Sequence, residues 1–350
     1  MQSKMKSLFG RQIFIPIAAL LALALFNLIA DPSFFAVEFG RNSLGNPVLS
    51  GNLISIIDYG SELAILAIGM TLVTAASGGQ DISVGATIAV SGSVVLRMLN
   101  GSSGAPIIVV FLVGCIAAML CGVFNGVLVA YFKIQPMVAT LILFTAGRSI
   151  AAWINNNELP IINDPVFSYF GGFFPGIPIP STVFIALACM IIIALVLRFT
   201  NLRLYTQSVG INASSARLNG LNPQMIKLLS FVILGVCVAV AGFIKVSRIS
   251  TINYSDIAKD IEMDAILAVA LGGNALGGGK FNMSASILGA YVIQFLTTTL
   301  YKFDVPSTAL PAYKAVVVII LVVLSAPIVR EKFSLLSKKI KATQTGKEVA

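Results

Sequence analysis

The sequence predicts an all-α integral membrane protein with about ten transmembrane helices, some of them short or discontinuous. Of its 350 residues, 57% are hydrophobic and only 11% are charged, whereas soluble domains carry about 25% charged residues. Solid apolar runs near the ~20-residue length of a membrane crossing recur along the chain. Membrane barrels instead use short strands of alternating polarity. Helices are therefore expected.

Ten apolar runs define the expected crossings. The first run follows three basic residues, as in a signal peptide, but it is long and lacks a small-x-small cleavage site. An uncleaved first crossing is therefore expected. The runs cover residues 12–30, 54–77, 82–98, 105–131, 136–153, 180–198, 224–245, 263–275, 283–300 and 312–328.

The distribution of basic residues orients these crossings. If the chain starts inside, 15 of its 23 Lys and Arg lie on the cytosolic face and 8 on the outer face, the bias known from membrane proteins. The prediction is a cytoplasmic N-terminus (1–11), a single transmembrane domain (12–328) and a basic cytoplasmic tail (329–350). The net charge of +9 then reflects orientation and contact with anionic lipid rather than a nucleic-acid surface. The 15 are Lys4, Lys6, Arg11, Lys133, Arg198, Arg203, Arg217, Lys227, Lys280, Arg330, Lys332, Lys338, Lys339, Lys341 and Lys347.

Residue types missing from the chain exclude several kinds of site. Its lack of histidine rules out Ser–His and Cys–His catalysis, HExxH zinc sites and histidine proton relays. Cys115, Cys121, Cys189 and Cys237 all lie inside apolar runs. They are expected to be small buried hydrophobic residues rather than disulfides or metal ligands.

Two regions do not fit uniform full-length helices. Residues 62–97 must cross twice but are interrupted by Gly78 and Gly79, and residues 264–301 contain the stretch GGNALGGGKFNMS at 272–284. Short, glycine-interrupted crossings are typical of discontinuous helices lining a transport path. Two tight helical hairpins with glycine turns would give the same pattern, and the sequence alone favours neither.

Asp81 is the only charged side chain between Leu63 and Val95. It follows the two glycines and precedes a run of small residues. We expect the glycines to end one helix and the carboxylate to cap free N–H groups of the next helix.

Other charges within the crossings are expected to have structural roles. Glu62 and Asp264 each begin a crossing, where an acid in the first turn is favoured by the helix dipole. Arg148 is expected to extend to the outer interface. The sequence GGGK at 277–280 does not match the phosphate-loop pattern GxxxxGK(S/T), because Asn274 stands where glycine is required and Phe281 where serine or threonine is required. A tight connection is therefore expected here instead of a nucleotide site.

Residues 199–223 form the longest inside loop. A short helix is expected there, ended by Gly220 in a left-handed conformation, with Asn222 and Pro223 starting the next crossing. Small or apolar side chains in this wet loop suggest contact with a partner's groove. A helix lying on the membrane surface or on its own bundle is a serious alternative. The side chains concerned are Val209, Ile211, Ala216 and Leu218.

Four segments resemble a known family. The chain is similar to the permease subunits of bacterial sugar-import ABC transporters, the ribose-type relatives of the branched-chain amino acid permeases. The resemblance spans roughly residues 55–328 and is greatest to galactofuranose permeases, although ribose, xylose and autoinducer-2 permeases share most of the motifs. The segments are LAILAIGMTLVTAASGGQDISVGA (63–86), KIQPMVATLILFTAGR (133–148), VGINASSARLNG (209–220) and DAILAVALGGNALGGGKFNMSASILGAYVIQ (264–294).

The resemblance implies partners and sites. Two permease subunits, identical or paired, would form the pathway, with two ATPase subunits inside and an external solute-binding protein delivering the sugar. This chain would bind no cofactor, and ATP-Mg would bind to the ATPase. The coupling segment that contacts the ATPase would comprise Gly210, Ile211, Asn212, Ala213, Arg217 and Gly220, and the signature turns of the transport domain Gly78, Gly79, Asp81, Ser83, Gly272, Gly273, Asn274 and Gly278.

Two positions depart from the family pattern. Ser208 stands where alanine is usual, and Gln80 replaces an apolar residue before Asp81. The first change leaves docking intact, and the second adds an amide that could alter local hydrogen bonding.

The function expected from the resemblance is import of a monosaccharide across the bacterial inner membrane, driven by ATP hydrolysis in a separate subunit. A stand-alone secondary carrier or channel is the alternative. An intramembrane enzyme is not favoured, because the sequence has no nucleophile motif from which to build an active site. The specific sugar and the choice between homodimer and heterodimer stay open. Small polar side chains could line the path or join helices: Ser91, Ser93, Asn125, Thr140, Thr145 and Gln294.

Overall fold

A computed structural model describes residues 13–41, 45–101 and 104–325. A helix lies at each of the ten expected crossings, with ends within four residues of the prediction. The proposed cytoplasmic segments 1–11 and 329–350 lie outside the described residues. The ten helices are α1 (Phe14–Ala30), α2 (Asn52–Ser77), α3 (Val84–Asn100), α4 (Ile107–Ala130), α5 (Pro136–Ile154), α7 (Ser181–Phe199), α10 (Pro223–Ile249), α11 (Ile261–Leu271), α12 (Met283–Lys302) and α13 (Leu310–Ser325).

Helix length and composition support the membrane assignment. Among the described residues, six helices (α2, α4, α5, α7, α10 and α12) are long and apolar enough to cross a bilayer. Helices α1, α3 and α13 are shorter and also apolar. The α11 helix has only 11 residues, about 16 Å of helix. The predicted all-α membrane fold with some short helices is therefore confirmed.

The connections contain small elements that the apolar runs did not indicate. A 3-10 helix (Pro32–Phe35) and an antiparallel hairpin, β1 (Glu38–Arg41) with β2 (Pro47–Ser50), join α1 to α2. A short helix, α6 (Pro165–Tyr169), precedes α7. The long inside loop holds two helices, α8 (Leu202–Ile211) and α9 (Ala213–Leu218).

Helices α2, α10 and α12 form the centre of the bundle. About two thirds of the apolar window of α2 and of α10 is buried, against 22–28% for α4, α5 and α7. The outer helices expose leucine, isoleucine and phenylalanine side chains, as expected where lipid is the solvent. Small residues let the central helices approach: a Cβ on Gly69 would lie 2.9 Å from the Cα of Leu234, and one on Gly289 would lie 2.2 Å from the Ala268 carbonyl oxygen.

The four cysteines are free thiols, and three of them are buried. Cys115, Cys189 and Cys237 lie in α4, α7 and α10. The prediction of small buried hydrophobic residues is confirmed for these three, whereas Cys121 is only partly buried.

Candidate functional site

The two glycine-interrupted regions meet at one end of the bundle, which we call the glycine end. It comprises Ala75 and Gly78 at the end of α2, Gly210 in α8, and residues 276–279 after α11. The backbone N–H of Gly279 donates to the Ala75 carbonyl oxygen at 3.0 Å. A Cβ on Gly78 would lie 2.9 Å from the Gly277 carbonyl oxygen. Because these backbones touch, only glycine fits at Gly78 without displacement.

The first signature turn is built around Gly78 and Asp81. Gly78 adopts a left-handed conformation (φ 70°) and its N–H donates to Thr74, ending α2 as predicted. The Asp81 carboxylate accepts from the Ser83 N–H at 2.8 Å and the Ser83 hydroxyl at 2.7 Å. Its second oxygen accepts from the Asn125 amide of α4 at 3.2 Å.

Asp81 therefore caps the turn before α3 rather than the free N–H groups of the helix, which begins at Val84. The prediction that Asp81 caps the helix itself is wrong in this detail. Ser83 and Asn125 bind the carboxylate in the turn, before the helix begins. The neighbouring Gln80 amide donates to the Leu276 carbonyl oxygen at 2.9 Å. The residue that departs from the family pattern thus joins the two signature turns.

The chain between α2 and α3 is non-helical and runs along α5. A Cβ on Gly79 would contact the ring of Pro136 at 2.8 Å, and one on Gly147 would lie 3.0 Å from the Ala86 Cβ. Between these contacts, the Ile82 N–H donates to the Thr140 hydroxyl at 3.1 Å. The interval from residue 136 to 147 spans about 16 Å of helix. This crossing is therefore an extended segment followed by a helix, which favours the discontinuous-helix interpretation over a tight hairpin.

The second signature turn follows the short helix α11. A Cβ on Gly272 would lie 2.7 Å from the Ser286 backbone nitrogen, so the end of α11 packs directly on α12. Asn274 is buried; its amide donates to the Ser286 hydroxyl at 2.8 Å, and its oxygen accepts from the Asn282 N–H at 2.6 Å. Gly273 (φ 72°) and Gly278 (φ 94°) have left-handed backbones. The GGGK stretch is a tight connection, as predicted.

The inside loop folds against the glycine end. Asn212 is extended and separates α8 from α9, and its side chain accepts from the Ser215 N–H at 3.0 Å. The single helix expected here is therefore two. A Cβ on Gly210 would lie 1.8 Å from the Ala75 carbonyl oxygen. Gly210 is thus a packing residue, and the loop rests directly on the end of α2.

Only part of the loop's apolar set faces outward. Ile211 and Leu218 are 75% and 90% exposed, whereas Val209 and Ala216 are buried against the bundle. The expectation that all four face the cytosol is wrong for the latter two. Ala213 is half-buried, while Arg217 and Gly220 are exposed, and Gly220 has the left-handed backbone predicted for it (φ 82°). The Asn222 side chain and Pro223 start α10, also as predicted.

The opposite end of the bundle carries paired charges, and we call it the charged end: Asp58, Glu62, Lys245, Arg248 and Asp264. Glu62 pairs with the Lys245 amine at 2.7 Å and the Arg248 guanidinium at 3.0 Å. Arg248 also binds Asp58 at 2.9 Å. The predicted helix cap at Glu62 is wrong, since α2 begins at Asn52 and Glu62 lies in the helix interior.

The predicted role is confirmed for Asp264 but not for Arg148. Asp264 lies in the first turn of α11, as predicted, and also pairs with Lys314 of α13 at 2.8 Å. Arg148 donates to the carbonyl oxygens of Tyr254 and Ile257, both at 2.9 Å. Its expected extension to the interface is wrong because these loop carbonyls satisfy the guanidinium.

A cavity of about 240 Å³ opens at the charged end. Sequence analysis missed most of the charged end beside this cavity, although a signal existed. Asp58 and Glu62 are four residues apart on α2, and Lys245 and Arg248 three apart on α10, so each pair shares a helix face. The lining comprises Tyr59, Glu62, Leu63, Lys245, Asp256, Ala258, Lys259, Ile261, Asp264 and Gln294.

The small polar candidates for the path are dispersed. Gln294 lines the cavity. Ser91 donates to the Gly114 carbonyl oxygen, joining α3 to α4, and Thr140 holds the extended segment. Asn125 binds Asp81, whereas Thr145 is exposed and bonded to its own helix. The Ser93 hydroxyl is buried without a hydrogen-bond partner in the described part of the chain.

Comparison with known proteins adds a consistent set of relatives. Residues 52–326 match the family described as branched-chain amino acid transport system / permease component. The chain is 37% identical over 312 residues to the galactofuranose transporter permease protein of Escherichia coli strain K12, covering 89% of this chain and 88% of the relative. No solved structure matches.

Two further relatives have comparable coverage. The fructose import permease protein of Bifidobacterium longum is 32% identical over 350 residues, covering 99% of this chain and 96% of the relative. A ribose import permease protein of Haemophilus influenzae is 32% identical over 312 residues, covering 87% and 90%.

Proposed function

Because this chain belongs to the branched-chain amino acid transport permease family, we propose that it is the transmembrane permease subunit of an ATP-driven importer of a monosaccharide. The observation that carries the proposal is that three relatives matching most of the chain are each named as permeases for a sugar. The protein is a multi-pass protein of the bacterial inner membrane. Its family consists of transporters rather than enzymes, and ATP-Mg binds to a separate ATPase subunit.

The loop at 199–223 is the proposed cytoplasmic coupling loop. Two strongly exposed apolar side chains, Ile211 and Leu218, offer the ATPase an apolar contact. Behind them, Gly210 packs on Ala75 and Gly279. A displacement of the loop would therefore pass to α2 and to both signature turns at once.

The remaining proposed partners complete the importer. A second permease subunit, as a homodimer or heterodimer, forms the pathway with this one, and an extracytoplasmic solute-binding protein delivers the sugar. In this arrangement the glycine end is cytoplasmic and the charged end faces outward. Residues 12–328 act as one transmembrane domain.

Purification of the tagged chain from its native membranes in mild detergent tests the assembly. We expect an ATPase subunit to co-purify at one copy per permease, and the complex to hydrolyse ATP. A stand-alone secondary carrier would purify without an ATPase, and that result would contradict the proposal.

A further inference from the structure

The cavity at the charged end is a small, mostly polar cleft that opens at one end of an otherwise apolar bundle. Its volume of about 240 Å³ is below the range of drug-sized ligand pockets, roughly 300–1,000 Å³. Seven of the ten lining residues are polar, aromatic-hydroxyl or charged. The size and polarity of the cavity fit a small, hydrophilic ligand.

We propose that this cavity is a binding site on the permease itself for the transported monosaccharide, occupied after release from the solute-binding protein. The inference rests on the proposed function and adds a location and a set of contacts to it. Four helices contribute polar groups to it: Glu62 on α2, Lys245 on α10, Asp264 on α11 and Gln294 on α12.

The hydrogen-bonding capacity of the lining fits a polyol. Glu62 and Asp264 accept from Lys245 and Lys314, but each carboxylate offers about four lone-pair sites, so acceptor capacity is left over. Lys245 donates once to Glu62 out of three possible bonds. The Gln294 amide has one contact, at 3.5 Å to the Thr298 hydroxyl. Sugar hydroxyls both donate and accept, and can use all of these groups.

The charge balance favours a neutral ligand. Glu62 already has two cations, Lys245 and Arg248, and Asp264 has Lys314. Breaking a buried pair to bind a charged ligand would leave an uncompensated buried charge, which is strongly unfavourable. A neutral sugar leaves the pairs intact and receives charge-assisted hydrogen bonds from them.

Thiol protection in the complete transporter tests the site. In a background with the four native cysteines replaced by alanine, Gln294→Cys is modified with a membrane-impermeant thiosulfonate in the presence of D-ribose, D-fructose or D-galactose. We expect at least one sugar to slow modification severalfold. Val37→Cys, at an exposed position before β1 and outside the cavity, is the matched control and should be unaffected.

The result separates this site from the proposed function. ATP-dependent import of the same three sugars by the cysteine-free transporter is measured first. If one is imported but none protects the thiol, or if L-leucine protects it equally, the site is wrong while the function stands.

A second pair of variants distinguishes loss of sugar binding from loss of the fold. Gln294→Leu removes the amide at similar volume and should raise the KM for import severalfold in transporter of normal membrane abundance, with Gln294→Asn partly restoring it. Import by Gln294→Leu equal to that of the wild type would overturn the assignment.

Discussion

Asp81 is a buried carboxylate in the interior of a membrane protein, where an unsatisfied charge is costly. The structure places three donors around it: the N–H and hydroxyl of Ser83 and the amide of Asn125. These bonds fix the extended segment to α4 just after α2 ends. The acid that looked isolated in the sequence is thus a structural centre of the first signature turn.

Removing this acceptor should destabilise the fold. In Asp81→Ala, Ser83 and Asn125 lose their shared acceptor, at a cost of about 1–3 kcal/mol. Asp81→Asn should lose less, because the Asn125 oxygen, which has no hydrogen-bond partner among the described residues, can then accept from the new amide. Thermal unfolding of the purified variants measures the difference. Equal losses for the two variants would contradict this account.

Gly210 provides a second test at the residue scale. A methyl group in Gly210→Ala would meet the Ala75 carbonyl oxygen at 1.8 Å, so α8 must move away from α2, at a cost of about 1–3 kcal/mol. We expect a lower unfolding temperature and reduced import. Gly277→Ala is the matched control, since a Cβ there meets nothing within 4 Å. Similar effects of the two changes would show that the close contact is unimportant.

At the scale of elements, α8 and α9 form a bent pair with one face on the bundle and one face free. Val209 and Ala216 anchor the inner face, while Ile211 and Leu218 remain outside. A loop that is packed on the bundle in this way can transmit a displacement from a bound partner, whereas a flexible linker cannot.

Docking should depend on the free apolar face. Leu218→Glu places a charge in the proposed ATPase contact and should weaken ATPase association by about tenfold, equivalent to ~1.4 kcal/mol, and lower import accordingly. The neighbouring exposed Ser214 gives the control Ser214→Glu, which adds the same charge to the same helix. Retained co-purification with Leu218→Glu, measured against that control, would place the ATPase contact elsewhere.

At the scale of the whole molecule, local patterns predicted the helices but not their long-range partners. Apolar run length alone located a helix at each of the ten expected crossings, since a bilayer favours runs of that length. The left-handed glycines Gly78 and Gly220 followed from local backbone geometry. Glu62 was misassigned because its partner Lys245 lies 183 residues away. The contact of Gly210 with Ala75 was hidden for the same reason, as one sequence does not show which backbones meet.

The two ends of the molecule are joined by α2. Glu62 lies at the charged end and Ala75 at the glycine end, 13 residues apart in one helix, or about 20 Å. In the proposed importer, this helix links the ATPase-docking loop to the sugar cavity. Transport should therefore require the ATPase, even though the pathway lies wholly in the permease subunits.

Sugar uptake into proteoliposomes tests that claim most directly. Vesicles contain the permease alone, the permease with its ATPase and binding protein, or the same assembly with an ATPase variant that binds but cannot hydrolyse ATP. We predict that only the second set accumulates labelled ribose, fructose or galactose above its external concentration. Equilibration of sugar by the permease alone, at a rate matching the full assembly, would instead identify a stand-alone carrier or channel.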